Sequence, residues 1–170
     1  LIDSDSENVL AKGVCERIGI DGGTLTHQID GQAKMSEQLV MADHKTAINA
    51  VLSKLVDKQI GVISALSEIE AIGHRVVHGG EAFTQSVIIN EEVFQTIQAC
   101  NELAPLHNPA NLIGISSCQE LMPNTPNVAV FDTAFHSTMP AKAYMYAVPY
   151  EYYEKYQVRR YGFHGTSHRY

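Results

Sequence analysis

The chain has 170 residues, with 12 Lys+Arg against 19 Asp+Glu for a formal charge of −7, and it is 45% apolar and 18% charged. That composition excludes intrinsic disorder as the main state, and the acidic balance without a basic stripe argues against a nucleic-acid partner. No run reaches the roughly 18 apolar residues of a membrane span, and Leu1-Ile2-Asp3-Ser4-Asp5 lacks the basic and apolar regions of a signal peptide.

Taken along the chain, Val9–Ile20 and Thr24–Ile29 read as strands joined by a turn at Gly22-Gly23. Polar Gln32–Gln38 follows. Asp43 is placed to cap a helix in which Ala47, Ile48, Val51, Leu52, Leu55 and Val56 recur at helical spacing, to about Lys58. Ile69–Val77 reads as a strand broken at Gly79-Gly80. Val87-Ile88-Ile89 is a short extended piece, and Asn90 caps a helix with Val93, Phe94, Ile97 and Leu103 on its apolar side. Pro105–Pro109 reads as a loop, and the helix through Leu112, Ile115 and Cys118 stops before Pro123. Val128-Ala129-Val130-Phe131 is wholly apolar, the pattern of a strand buried on both faces. Pro140–Val148 is irregular or mixed. Pro149 opens a short helix through Tyr156, Val158–Tyr161 reads as a strand, and Gly162 opens a loop.

Strands alternating with helices predict an α/β sheet with active groups at strand ends. Cys15, Cys100 and Cys118 are odd in number with no CxxC pair, so reduced thiols in a cytoplasmic protein are expected. The absence of Met at position 1, and a C-terminal Thr166-Ser167 placed to cap a helix with almost nothing behind it, predict a piece of a larger protein, incomplete at both ends.

Polar groups cluster at the predicted strand ends. In His74-Arg75-Val76-Val77-His78, alternation puts Arg75 and Val77 on one face. A planar guanidinium beside an apolar side chain suits a small molecule with an anionic end and a hydrocarbon end, although a structural ion pair would use the same arginine. Pro105-Leu106-His107-Asn108-Pro109 holds a histidine and an asparagine in a stiff loop, for function or simply to bond backbone. Asp132 directly follows the buried run, where catalytic carboxylates and turn caps both occur. His164 lies between Gly162 and Gly165, which allow close approach of a ligand or merely form a turn. His74/His78, Asp132/His136 and His164/His168 are each four apart, a helical metal-ligand spacing that keeps a metal hydrolase open. No GxxxxGK[ST] or GxGxxG loop occurs.

The segments HRVVHGGE, ELAPLHNPANLIGI, VAVFDTAFHSTMP, YAVPYEYYEKY and RRYGFHGTSH, in this order, resemble the acetate kinase family over essentially the whole chain. The resemblance implies an α/β ribonuclease H-like (actin-like ATPase) domain. Residues 1–170 would be its N-terminal part, without the first strand and phosphate loop and without a C-terminal nucleotide domain. It implies reversible γ-phosphoryl transfer from ATP to acetate, giving acetyl phosphate and ADP, with Mg²⁺ or Mn²⁺, in a cytoplasmic homodimer. By the same resemblance Arg75 binds the substrate carboxylate. Val77, Leu106 and Phe163 surround the acetate methyl, and His107 is a further active-site histidine. Asp132 is the essential acidic residue, His164 stabilises the transition state, and no metal ligand falls within these residues. Acetate is already deprotonated at neutral pH, so Asp132 is expected to orient Arg75 or a metal-bound water rather than move a proton. The 170 residues alone are expected to lack kinase activity. The competing expectations are a propionate or butyrate kinase of the same superfamily, a metal-dependent hydrolase, and a non-catalytic binding module.

Overall fold

β1 (Ala11–Glu16) and β2 (Thr24–Ile29) pair antiparallel, Ala11 opposite Ile29 and Glu16 opposite Thr24. Alternation in β2 turns Leu25 and His27 inward. β3 (Met35–Gln38) adds to the other edge of β2, where the Thr26 and Ser36 hydroxyls meet at 2.9 Å. β3 lies within the polar stretch Gln32–Gln38, where no strand is predicted. All four of its residues are exposed, so no apolar alternation marks it. β1 is shorter than predicted. α1 (His44–Leu55) starts as expected, with the Asp43 carboxylate accepting from the Thr46 N–H at 2.7 Å. It ends before Lys58, because Asp57 accepts the Gln59 and Ile60 N–H groups and turns the chain. These elements belong to the first of two compact units, Leu1–Glu70 with Ser116–Thr125; the second is Ala71–Ile115 with Pro126–Tyr170. The structure is a computed structural model that describes residues 1–170.

The second unit is built on β4 (Ile72–Val76), β5 (Val87–Ile88) and β6 (Asn127–Phe131), in the order β4-β6-β5. β4 runs parallel to β6, Ile72 opposite Asn127 and Val76 opposite Phe131, and β5 runs antiparallel to it. The α/β composition is as expected, but the strands form two separate sheets rather than one. α2 (Glu91–Ala99) is capped by Asn90, which accepts from the Val93 N–H at 2.9 Å. Leu103 lies past a tight turn beyond it. α3 (Asn108–Leu121) begins earlier than predicted: Pro109 sits in its first turn, where a missing N–H breaks no helical bond. Val76, Ile97, Ile115, Ala129 and Phe131 form the core, and Phe83 stacks on Phe131 with ring centroids 4.3 Å apart. Burying a side chain the size of Phe131 contributes about 2–3 kcal/mol. α4 (Ala141–Tyr144), α5 (Glu151–Tyr156) and α6 (Gly165–Arg169) complete the unit.

Val158–Tyr161 is not a strand. Its backbone bonds to helix-associated carbonyls instead, Val158 N–H to Tyr152 and Arg160 N–H to Tyr144. Its β-branched and aromatic composition imitates a strand without a ladder to join.

Candidate active site

Parallel neighbours bring their C-terminal ends to the same edge of a sheet. Arg75 is the penultimate residue of β4, and Asp132 is the first residue past β6. They meet there in a two-point pair: Nε donates to Oδ1 at 3.0 Å and an Nη donates to Oδ2 at 2.6 Å. The Asp132 side chain is 3% exposed and the Arg75 side chain 62% exposed. The buried carboxylate therefore sets the plane of the guanidinium, and the outer N–H groups remain for an anion from solution. The bond to Asp132 pushes the guanidinium pKa further up, so its charge is permanent.

The chain around this pair is held by side chains. The Asp132 N–H donates to the Val76 carbonyl at 3.0 Å, and the Asp132 carbonyl accepts from the Gly165 N–H at 2.9 Å. A Cβ at Gly165 would lie 2.5 Å from that carbonyl oxygen, which is why glycine stands there. Beyond β4 the ladder stops, and four successive N–H groups find side chains. Val77 donates to Asn111 Oδ1 at 3.1 Å, His78 to Asn108 Oδ1 at 3.1 Å, Gly79 to Thr133 Oγ1 at 3.2 Å and Gly80 to His78 Nδ1 at 3.0 Å. Asn108 is fully buried and its amide also donates to the His78 and Ile97 carbonyls. Asn108 thus bonds backbone, one of the two roles the sequence left open for it.

His78 is 2% exposed, and burial pushes its pKa down to about 4. Its Nδ1 accepts a bond, so the neutral ring carries its proton on Nε2. The ring lies edge-on to Tyr161 at 4.4 Å and to Phe163 at 5.5 Å. His164 opens α6 with φ of 54°, a left-handed conformation uncommon away from glycine.

Arg75, Asp132 and His164 line one open cleft of about 520 Å³, together with Val130, Thr166 and Ser167. His74 lines it too, whereas Val77, Leu106, His107 and Phe163 do not. Val77 sits half-buried past the end of β4, Leu106 is 86% exposed, His107 is exposed, and Phe163 packs against His78. The histidine pairs spaced for a metal do not gather into a ligand set of three or more. His74 instead donates from Nε2 to Asn127 Oδ1 at 2.7 Å.

Asn111, Thr133 and the group around Glu81 were not singled out from the sequence. Glu81 pairs with Arg159 and accepts from the Tyr153 hydroxyl, and the Arg159 guanidinium lies 3.6 Å over the Tyr144 ring. A usable signal existed for Asn111: with Asn108 it places two amides three apart on an otherwise apolar helix face.

The model of the acetokinase family matches residues 1–170. The acetate kinase of Thermoanaerobacter pseudethanolicus is 61% identical over all of this chain, and that of Agathobacter rectalis is 64% identical over 99% of it. The chain spans 42% of the length of each. The crystal structure of Porphyromonas gingivalis acetate kinase superposes on 99% of the chain with a TM-score of 0.95 at 46% identity, and matches over 42% of its own length. A propionate kinase from Francisella tularensis gives 0.91 at 42% identity, over 99% of this chain and 42% of its own.

Proposed function

We propose that this chain, which belongs to the acetokinase family, is the carboxylate-binding part of an acetate kinase. The protein that carries it transfers the γ-phosphoryl of ATP to acetate, reversibly, giving acetyl phosphate and ADP. An acetate oxygen attacks the γ-phosphorus in line. One P–O bond forms, the bond to the β-bridging oxygen breaks, and ADP leaves with that electron pair. No proton moves, because the attacking carboxylate is already ionised at neutral pH.

The observation that carries this reading is the exposed Arg75 guanidinium, held flat by buried Asp132 in a cleft shared with His164. Carboxylate and phosphate repel each other, so a reaction between them needs a fixed cation at the point of contact. Arg75 supplies it and bridges the carboxylate to the incoming phosphoryl group. Asp132 acts as a positioning residue for Arg75, with both of its oxygens engaged. His164 donates to the phosphoryl oxygens as charge builds. In this reading Val77, Leu106 and Phe163, which lie outside the cleft that Arg75 lines, meet the methyl end of the acceptor, and His107 borders it.

The residues present do not fit a resident Mg²⁺ or Mn²⁺. No three His, Cys, Asp or Glu side chains converge, and Asp132 faces Arg75 with both oxygens. We also propose that residues 1–170 are the N-terminal part of a homodimeric, cytoplasmic enzyme and form no acyl phosphate alone.

Hydroxamate trapping of acetyl phosphate from ATP and acetate tests the reading on the protein that carries this chain. Acetyl phosphate is the expected product, and its absence with both acetate and propionate would overturn the reading. Propionate is the second acceptor to try, because the Francisella propionate kinase shares this fold so closely.

A further inference from the structure

Val77 is the first residue after β4 whose N–H has no strand partner, since the ladder to β6 ends at Val76 opposite Phe131. Its N–H is held instead by Asn111 Oδ1 on the first turns of α3, at 3.1 Å. The chain bends at Val77 just past the strand, and this bond fixes where the bend carries the side chain.

We propose that Asn111 is a positioning residue that sets the length of acceptor the site accepts. It does so by fixing the separation between the Arg75 guanidinium and the Val77 side chain. The proposal rests on the reading above, in which Arg75 takes the carboxylate and Val77 meets the hydrocarbon end. Asn111 is better suited to this role than its neighbour on the same helix face. Asn108 is fully buried and also ties down Ile97, so it serves the core. Asn111 is half-buried and its bond goes to Val77. Losing it releases Val77 and leaves Arg75 paired with Asp132.

The test is made on the protein that carries this chain, with acetate and propionate as the two acceptors. Asn111→Leu keeps the branched shape and removes the acceptor atom. Asn111→Asp keeps an acceptor oxygen in place, and its charge acts on two carboxylate substrates alike, so it cancels in their ratio. Asn111→Leu is expected to change the ratio of kcat/KM for propionate over acetate by more than about threefold, through KM, because a methylene's room discriminates by at least that much. Asn111→Asp is expected to hold that ratio within about threefold of the parent's, since the N–H keeps its partner.

A ratio unmoved by Asn111→Leu, or moved as far by Asn111→Asp, overturns the proposal. If Asn111→Leu does not fold, Asn111→Ser, whose hydroxyl is too short to reach Val77, carries the same expectation. A parent protein that phosphorylates neither acid would overturn the functional reading beneath it. A parent that phosphorylates either acid, with the ratio unmoved, would overturn only the role of Asn111.

Discussion

The two sheets of this chain have three strands each and differ in what their ends can hold. In β1-β2-β3 every pairing is antiparallel, so each strand's C-terminal end lies beside its neighbour's N-terminal end. In β4-β6-β5 the parallel pair brings two C-terminal ends together, and Arg75 and Asp132 meet there although 57 residues separate them in the chain. The longer, more regular sheet thus holds no ion pair of this kind at its strand ends. The shorter one gathers the groups able to bind an anion. Strand direction, more than strand length, decides where chemistry can be assembled.

Substitutions in the protein that carries this chain sharpen or break that contrast. The largest effect is expected at Arg75: Arg75→Ala should lower kcat/KM for the carboxylate substrate about a thousandfold, and Arg75→Lys should restore little, because an ammonium lacks the planar fork. Steady-state kinetics with varied acetate would show it. Asp132→Asn comes next, at about a hundredfold, seen mainly in KM as the guanidinium loses its fixed plane. Near-normal turnover would end its role as the positioning residue.

His78 should make the second unit sensitive to acid. An ordinary histidine takes up its proton near pH 6.5, whereas His78 does so only near 4. Between those values the unfolded chain binds the proton and the folded chain does not. Stability should therefore fall as pH drops through that window, by on the order of 2 kcal/mol. Urea unfolding at pH 7 and pH 4.5 should show the loss, and His78→Gln should shrink it. Gly165→Ala should cost about 1–2 kcal/mol in the same assay, since its Cβ must displace the Asp132 carbonyl. At the small end, Thr26→Ala in the first sheet removes only the hydroxyl contact to Ser36, and should change stability by less than about 0.5 kcal/mol and acyl phosphate formation not at all.

What the sequence made legible was local. Asp43 and Asn90 announce helix starts because a cap is a contact across three residues, and both are found as read. Val128–Phe131 announces a central strand because it is apolar without interruption, and β6 does lie between its two neighbours. β3 escaped notice because an exposed edge strand needs no apolar face. Pro109 looked like a break because a proline interrupts a helix everywhere except at its start. Of the candidate site, Arg75 and Asp132 each stood out by residue type and place. Their partnership was one of two expectations for Asp132, beside a metal-bound water, and residue type and spacing could not choose, because the pair depends on the register of two strands far apart in sequence. The amide-holding role of Thr133 was invisible for the same reason, and that of Asn111 had only its place beside Asn108 on the helix face as a signal.

The four side-chain anchors after β4 carry a consequence for how the molecule would look to deuterium. Residues 77–80 belong to no strand, yet each of their amide protons is tied to a side-chain acceptor. Such protons exchange slowly only while the groups that hold them stay in place. A map of slow amides would therefore draw β4 running on through Gly80, four residues past its last ladder bond. The same map would mark β3 only on the side that pairs with β2, since its outer edge bonds to no strand.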